Sequence, residues 1–227
     1  STRTDSSAAS DVYKRQEFRM SEFKNISGIA CILDIDNIDT DQIIPTEYLK
    51  SIKKFGFGEF LFDGWRYHDI ANINTPTSSR SLNQDFILNQ APFNESKIII
   101  TGKNFGCGSS REHAVWALRD FGIETVIAES FGDIFYNNCF KNGVLPIALN
   151  QDKLLMVKDH VSNESKLHIS LVDKNIVIKN EKIAFEVDSG MLDMIITGQD
   201  EVDITLSISD KIKSYESNRL KHKPWLN

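Results

Sequence analysis

The sequence predicts an α/β fold, and three observations carry that prediction. Its centre alternates short β-branched runs with stretches of helical period. Glycine and asparagine punctuate the joints between them. The last third changes character, holding short, closely spaced strand patterns in the manner of an antiparallel meander. In order, Gly28 to Leu33 (GIACIL) reads as a strand, followed by a polar turn from Asp34 to Asp41 and the apolar pair Ile43-Ile44. Pro45 opens a short helix from Thr46 to Ile52, with Glu47 favourable in its first turn. Phe55 to His68 (FGFGEFLFDGWRYH) is aromatic and glycine-rich, hence a packed loop or irregular hairpin. Ala71 to Gln84 has the composition of a mobile surface loop.

The central elements are sharper. Lys97 to Thr101 (KIIIT) is a buried strand, and a loop runs from Gly102 to Gly108. A helix follows from Ser109 to Phe121, because Ala114, Ala117, Leu118 and Phe121 recur at three and four; Gly122 stops it. Thr125 to Ala128 is a strand, Phe131 to Lys141 a helix closed by Asn142-Gly143, and Val144 to Leu149 a third strand. KLHISLV, NIVIK and KIAFEV supply the meander. Met191 to Thr197 reads as a short helix, Asp203 to Ile208 (DITLSI) as a strand or strand-to-helix junction, and Lys211 to Leu220 as a terminal helix.

Composition excludes several function classes. A net charge of −6 and a pI near 5.4 argue against a nucleic-acid binder, which carries a basic face. No apolar run is long enough to span a bilayer and no secretory h-region is present. Cys31, Cys107 and Cys139 are odd in number and far apart, which suits a reducing cytoplasm and not a disulfide framework. They also lack the close C-x-x-C pair that usually helps hold an iron–sulfur cluster, and Cys31 and Cys139 read as buried small hydrophobes. The run Ser6 to Gln16 (SSAASDVYKRQ) resembles a translated sequencing-library adaptor. Residues 1–16 are therefore expected to be an adaptor-derived or disordered tail, Met20 a plausible start, and residues 17–227 a single domain.

Chemistry concentrates in Gly102 to Leu118, GKNFGCGSSREHAVWAL. Gly106 and Gly108 allow positive φ or close backbone approach, and a helix N-terminus offers unpaired N–H groups and the positive end of the dipole. Arg111 adds a planar fork suited to a carboxylate. The same residues have a plainer explanation. Ser109-Ser110-Arg111-Glu112 is also an S-x-x-E capping box, which would account for Ser109 and Glu112 with no ligand at all.

NFGCGSSREHA resembles the signature of the aconitase-type swivel domain found in isopropylmalate dehydratase small subunits. NIDTDQIIPTEYL, FGFGEFLFDGWRY, DFILN, VIAESFGDIFYNN and, more loosely, the closing PWLN fall in the family's order, so the resemblance runs from about Met20 to Asn227. It implies a three-layer β/β/α swivel domain in which the glycine-rich loop and the Asp39-Thr40-Asp41 loop share one face. It further implies a hydro-lyase subunit of leucine biosynthesis, inactive without a large subunit. The substrates would be 2-isopropylmalate and 3-isopropylmalate. This chain itself would bind no cofactor, a 4Fe–4S cluster being carried by the large subunit. Ser109 matches the family's catalytic base, Arg111 its carboxylate clamp and Ser110 a supporting donor. Gly106, Cys107 and Gly108 form the loop supporting the site, and Asp39, Thr40, Asp41 and Leu49 match its substrate-side mouth.

Alternatives stay open. Tyr48, Leu49, Lys50 and Ser51 occupy the stretch that separates substrates in this family, and they leave homoaconitase or a citramalate-pathway dehydratase in play. A non-catalytic anion-binding module is the reading of another class. Asp39 and Asp41 could simply cap a turn, and Leu49 could be core. His113 reads as a structural helix-face histidine, Cys107 as a space filler, and Trp65 and Trp116 as packing or interface residues.

Overall fold

The computed structural model describes residues 24–50, 55–72, 74–179, 181–199, 201–223 and 225; the adaptor-like run, Met20, Ser51 and most of the closing PWLN lie outside the described residues. Its strands are β1 (Asn25–Leu33), β2 (Ile98–Thr101), β3 (Thr125–Ala128), β4 (Leu145–Ala148), β5 (Lys166–Ser170), β6 (Asn175–Ile178) and β7 (Glu181–Ala184). Among the described residues they form one seven-stranded sheet in the order β4-β3-β2-β1-β5-β6-β7.

Strand β1 divides that sheet in two. Its first half runs antiparallel to β5, and its second half runs parallel to β2 with Leu33 opposite Thr101. Every residue of β2 and β3 is buried, as β-branched strands covered on both faces should be. The helices are one turn at α1 (Thr40–Ile43), one turn at α2 (Asp63–Arg66), α3 (Glu112–Phe121), α4 (Asp133–Lys141), α5 (Gln151–Asn163), α6 (Ser189–Thr197), α7 (Glu201–Ser207) and α8 (Ser209–His222).

Two cores flank the sheet. On one face Cys31, Leu33, Ile99, Val126 and Ala128 pack against Ala114, Val115, Ala117 and Leu118 of α3, together with Phe57, Leu61 and Phe62. On the other, Ile98, Ile100, Ile127 and Ile147 of the parallel half share a core with Leu167, Ile169, Ile176 and Ile183 of the antiparallel half. The sheet is therefore curled on itself, its two halves closing on a shared core that also takes Leu154 and Val157 of α5 and Leu192 and Ile195 of α6.

Four expectations need correction. Helix α5 has no counterpart in the sequence reading, although Asn150 caps it by accepting from Lys153 N at 3.0 Å, and Leu154, Val157, His160 and Val161 bury a helical stripe. DITLSI, expected as a strand or strand-to-helix junction, is helical through Ser207 as the greater part of α7. Its period-two pattern suits a strand only beside a sheet edge; without a partner a strand strands its backbone polar groups, whereas a helix satisfies them internally. The helix from Ser109 starts three residues later, at Glu112. The loop from Ala71 to Gln84 is pinned: the Arg80 side chain, 2% exposed, bonds Asp63, Asp69 and the Asp69 carbonyl and lies 3.8 Å from the Tyr67 ring centroid.

Candidate active site

Because β1 and β2 are parallel neighbours in register, the loops that follow Leu33 and Thr101 leave the same edge of the sheet. That is the edge where open parallel sheets build sites. Backbone bonds then join the two loops. Asn37 N donates to the Lys103 carbonyl at 2.8 Å, Gly106 N to Ile38 at 2.7 Å, and Thr40 N to Cys107 at 3.0 Å. Asn37 and Asn104 both adopt positive φ, which asparagine tolerates better than most residues, and the Asn104 side-chain amide donates to the Asn37 amide oxygen at 2.9 Å.

Gly106 and Gly108 are required for backbone reasons. Both have positive φ, and a Cβ on Gly106 would sit 2.2 Å from Cγ of the Phe135 ring. Cys107 lies between them, its thiol donating to the Asn37 carbonyl at 3.6 Å. Burial, then the negative charge of Asp39, push that thiol above its usual value, so it remains protonated at neutral pH and fits the space-filling reading.

The capping-box explanation of Ser109 does not hold. The N-cap of α3 is Arg111, with no side-chain cap bond, and Glu112 instead accepts from the Asn142 amide at 2.9 Å; Asn142 in turn accepts from the Trp116 indole at 2.9 Å. A capping box does exist on the facing loop: Asp39 accepts from Gln42 N at 2.7 Å while Gln42 accepts from Asp39 N at 2.8 Å. Ser109 and Ser110 are exposed, and among the described residues neither hydroxyl has a partner. The Ser109 carbonyl accepts from the Thr40 hydroxyl at 3.1 Å. Thr40 is 1% exposed, so it lies beneath the loop whose Ser109 carbonyl it holds.

Arg111 Nη1 pairs with Asp41 Oδ1, which also accepts from the Thr46 hydroxyl at 2.7 Å. These two bonds, Arg111 first, hold the Asp41 carboxyl below the usual carboxylate range. His113 packs on Trp116 and edge-on to Phe57; burial lowers its pKa, leaving it neutral at pH 7 and structural. Trp65 stacks on Phe62 and Trp116 packs against the first core. Tyr48 is buried and stacked on Phe60 at 4.0 Å, so it belongs to the core, and Leu49 packs partly buried against the same core. Cys31 and Cys139 are fully buried, as small core residues should be, burial pushing the first up to about 12 and the second well above its usual value. The arrangement thus offers an unpartnered serine pair and a half-occupied guanidinium, held by two cross-bonded loops. Sequence reasoning missed Thr46 and the Asn37–Asn104 pair, although Asn next to a glycine-rich loop is a turn signal.

Residues 20–152 match the model of the aconitase C-terminal domain. The chain belongs to the aconitase C-terminal domain family. All candidate site residues, from Asp39 to Arg111, fall inside the part matched to that domain. Among curated members, the 3-isopropylmalate dehydratase small subunit of Vesicomyosocius okutanii is 47% identical over 207 residues, covering 91% of this chain and 100% of that protein. The small subunit of the same name from Pelagibacter ubique is 44% identical over 207 residues, covering 91% and 98%. The crystal structure of 3-isopropylmalate dehydratase from Methanocaldococcus jannaschii superposes with a TM-score of 0.56 at 31% identity, covering 85% of this chain and 99% of that one. The family resemblance expected from the sequence, and the swivel-domain fold with it, are borne out.

Proposed function

We propose that this chain is the small subunit of 3-isopropylmalate dehydratase, a hydro-lyase that interconverts 2-isopropylmalate and 3-isopropylmalate by dehydration and rehydration in leucine biosynthesis. It works docked on a large subunit, in the cytoplasm. The observation that carries the reading is the exposed, unpartnered Ser109-Ser110 pair beside Arg111, in a chain that aligns with small subunits of that name along 91% of its length.

Dehydration requires removal of a C–H proton next to a carboxylate, and charge builds on that carboxylate as the proton leaves. Ser109 takes the proton. A serine hydroxyl is a weak base at its ordinary pKa, so its alkoxide needs positive surroundings. The α3 N-terminus, beginning at Glu112, and the Arg111 guanidinium are what this chain supplies. Arg111 and Ser110 bind the substrate carboxylate, and donors fixed in advance stabilise developing charge best. Leu49, on the 3-10 turn that follows Pro45 and only partly buried where it packs on the core, is the apolar side chain that would meet the isopropyl group. A 4Fe–4S cluster on the large subunit would supply the Lewis acid that takes the departing hydroxyl; among the described residues of this chain no group of three or more His, Cys, Asp or Glu side chains is placed to hold a metal.

The test is anaerobic co-purification of residues 20–227 with the matching large subunit, followed by an absorbance assay for the dehydrated intermediate. Turnover of 2-isopropylmalate that needs both chains supports the assignment. A stable complex active only on homologous tricarboxylates or methylmalates would transfer it to a sister hydro-lyase; absence of any complex would favour an anion-binding module.

A further inference from the structure

We propose that Asp41 is the positioning residue of Arg111, turning the guanidinium so that its free edge receives a substrate carboxylate side-on. The proposal rests on the functional reading above and deepens it. Asp41 touches Arg111 through Nη1 alone. Among the described residues no acceptor meets Nε or Nη2. A guanidinium carries five donors in one plane, and the Nε–Nη2 edge is one that can take a carboxylate by two parallel bonds. The contact therefore fixes the plane of the fork while leaving that edge open.

Asp41 is itself well anchored. Its Oδ1 accepts from Thr46 at 2.7 Å, and it occupies the first turn of α1, whose start is locked by the reciprocal Asp39–Gln42 bonds. The three residues of the mouth thus divide the work. Asp39 caps the turn, Thr40 holds the Ser109 carbonyl from beneath, and Asp41 holds Arg111. Direct contact of Asp41 with the substrate is the poorer alternative, because an ionised carboxylate repels a dianionic ligand. Asp41 pairs with the clamp instead of competing for its cargo, since the open edge is not the one it uses.

The experiment compares steady-state turnover of 2-isopropylmalate by the complex reconstituted with wild type, Asp41→Asn, Thr46→Ala, Arg111→Lys and the Asp41→Asn/Arg111→Lys double variant. A charge-assisted contact that only orients the clamp predicts KM raised about tenfold by Asp41→Asn with kcat kept within about threefold. Thr46→Ala moves KM the same way by less. The double variant is no worse than Arg111→Lys, because a lysine has no plane to orient. Loss of kcat at unchanged KM would make Asp41 part of the chemistry and overturn the proposal. A lowered KM would make it a competitor for the clamp, and additive penalties would make the two residues independent; each overturns it as well. A wild-type complex that ignores 2-isopropylmalate overturns the functional reading and removes this inference with it.

Discussion

Substituting Gly106 by alanine separates two costs that the glycine-rich loop carries. The first is conformational: φ is +71° at Gly106, and a residue with a Cβ in the left-handed region costs about 1–2 kcal/mol. The second is steric. The added Cβ would stand 2.2 Å from Cγ and 2.5 Å from Cδ1 of Phe135, far inside van der Waals contact. That ring is buried and packed edge-on to Phe105 at 5.3 Å between centroids, so it has little room to retreat. Overpacking of this kind costs about 1–3 kcal/mol, giving a total of about 2–5 kcal/mol, a large share of the stability of a typical domain. Gly108→Ala isolates the first cost, because φ is +94° there but the nearest atom to its Cβ is 3.5 Å away; about 1–2 kcal/mol is expected. Gly64→Ala serves as the control: nothing lies within 4 Å, the site is on the one-turn α2, and a change within about 1 kcal/mol is expected. Urea unfolding of the three variants measures the series. Equal losses for Gly106→Ala and Gly108→Ala would refute the packing argument, and a loss below about 1 kcal/mol for Gly106→Ala would refute both parts.

Three further outcomes are expected. Ser109→Ala removes turnover in the reconstituted complex yet leaves thermal stability unchanged, since Ser109 is not the α3 cap; a loss of about 1 kcal/mol would restore the capping explanation. Arg80→Ala destabilises by about 3–5 kcal/mol in urea unfolding, because it leaves the buried Asp63 carboxylate without its partner, and a loss below about 1 kcal/mol would show the pinned loop to be ornamental. Asp41, whose folded pKa is lowered, contributes stability that is full above its unfolded value and is lost as pH falls through the folded one. The stability gap between wild type and Asp41→Asn is therefore flat from pH 7 to about 5 and closes below about pH 4, remaining small throughout because the carboxylate is half exposed.

Where local pattern and tertiary context agree, the sequence foretells the fold. KIIIT and TVIA are strands because nothing but burial on both faces suits such runs, and β3 falls on the expected residues. Context decided the failures. Asp203 to Ile208 has a strand's alternation, but pattern alone cannot supply the neighbouring strand that would complete its hydrogen bonds. Arg80 sits in a stretch of Asn, Thr and Ser that reads as loose, and its burial depends on two aspartates and a tyrosine 11 to 17 residues back. Helix α5 differs from these. Its Asn150 cap and its Leu154, Val157, Val161 stripe are local signals, made faint because the other face of the helix also carries apolar Leu155 and Met156.

The site was legible in composition and illegible in its division of labour. A glycine-rich loop followed by Ser-Ser-Arg suits an anion site, and S-x-x-E suits a helix start; spacing alone leaves Ser109 and Glu112 open to either reading. In the structure the box is formed 70 residues earlier, by Asp39 and Gln42, where D-x-x-Q has the same form. What settles the choice is the pairing of β1 with β2, which places both loops on one edge and gives Thr40 the Ser109 carbonyl and Asp41 the Arg111 guanidinium as partners. Neither bond joins residues closer than 69 positions in the chain, and no local pattern could have named them. A loop whose backbone is already tied to its neighbour need not spend Ser109 on holding its own helix. That leaves the hydroxyl exposed and uncommitted, the condition a serine must meet before it can serve as a base.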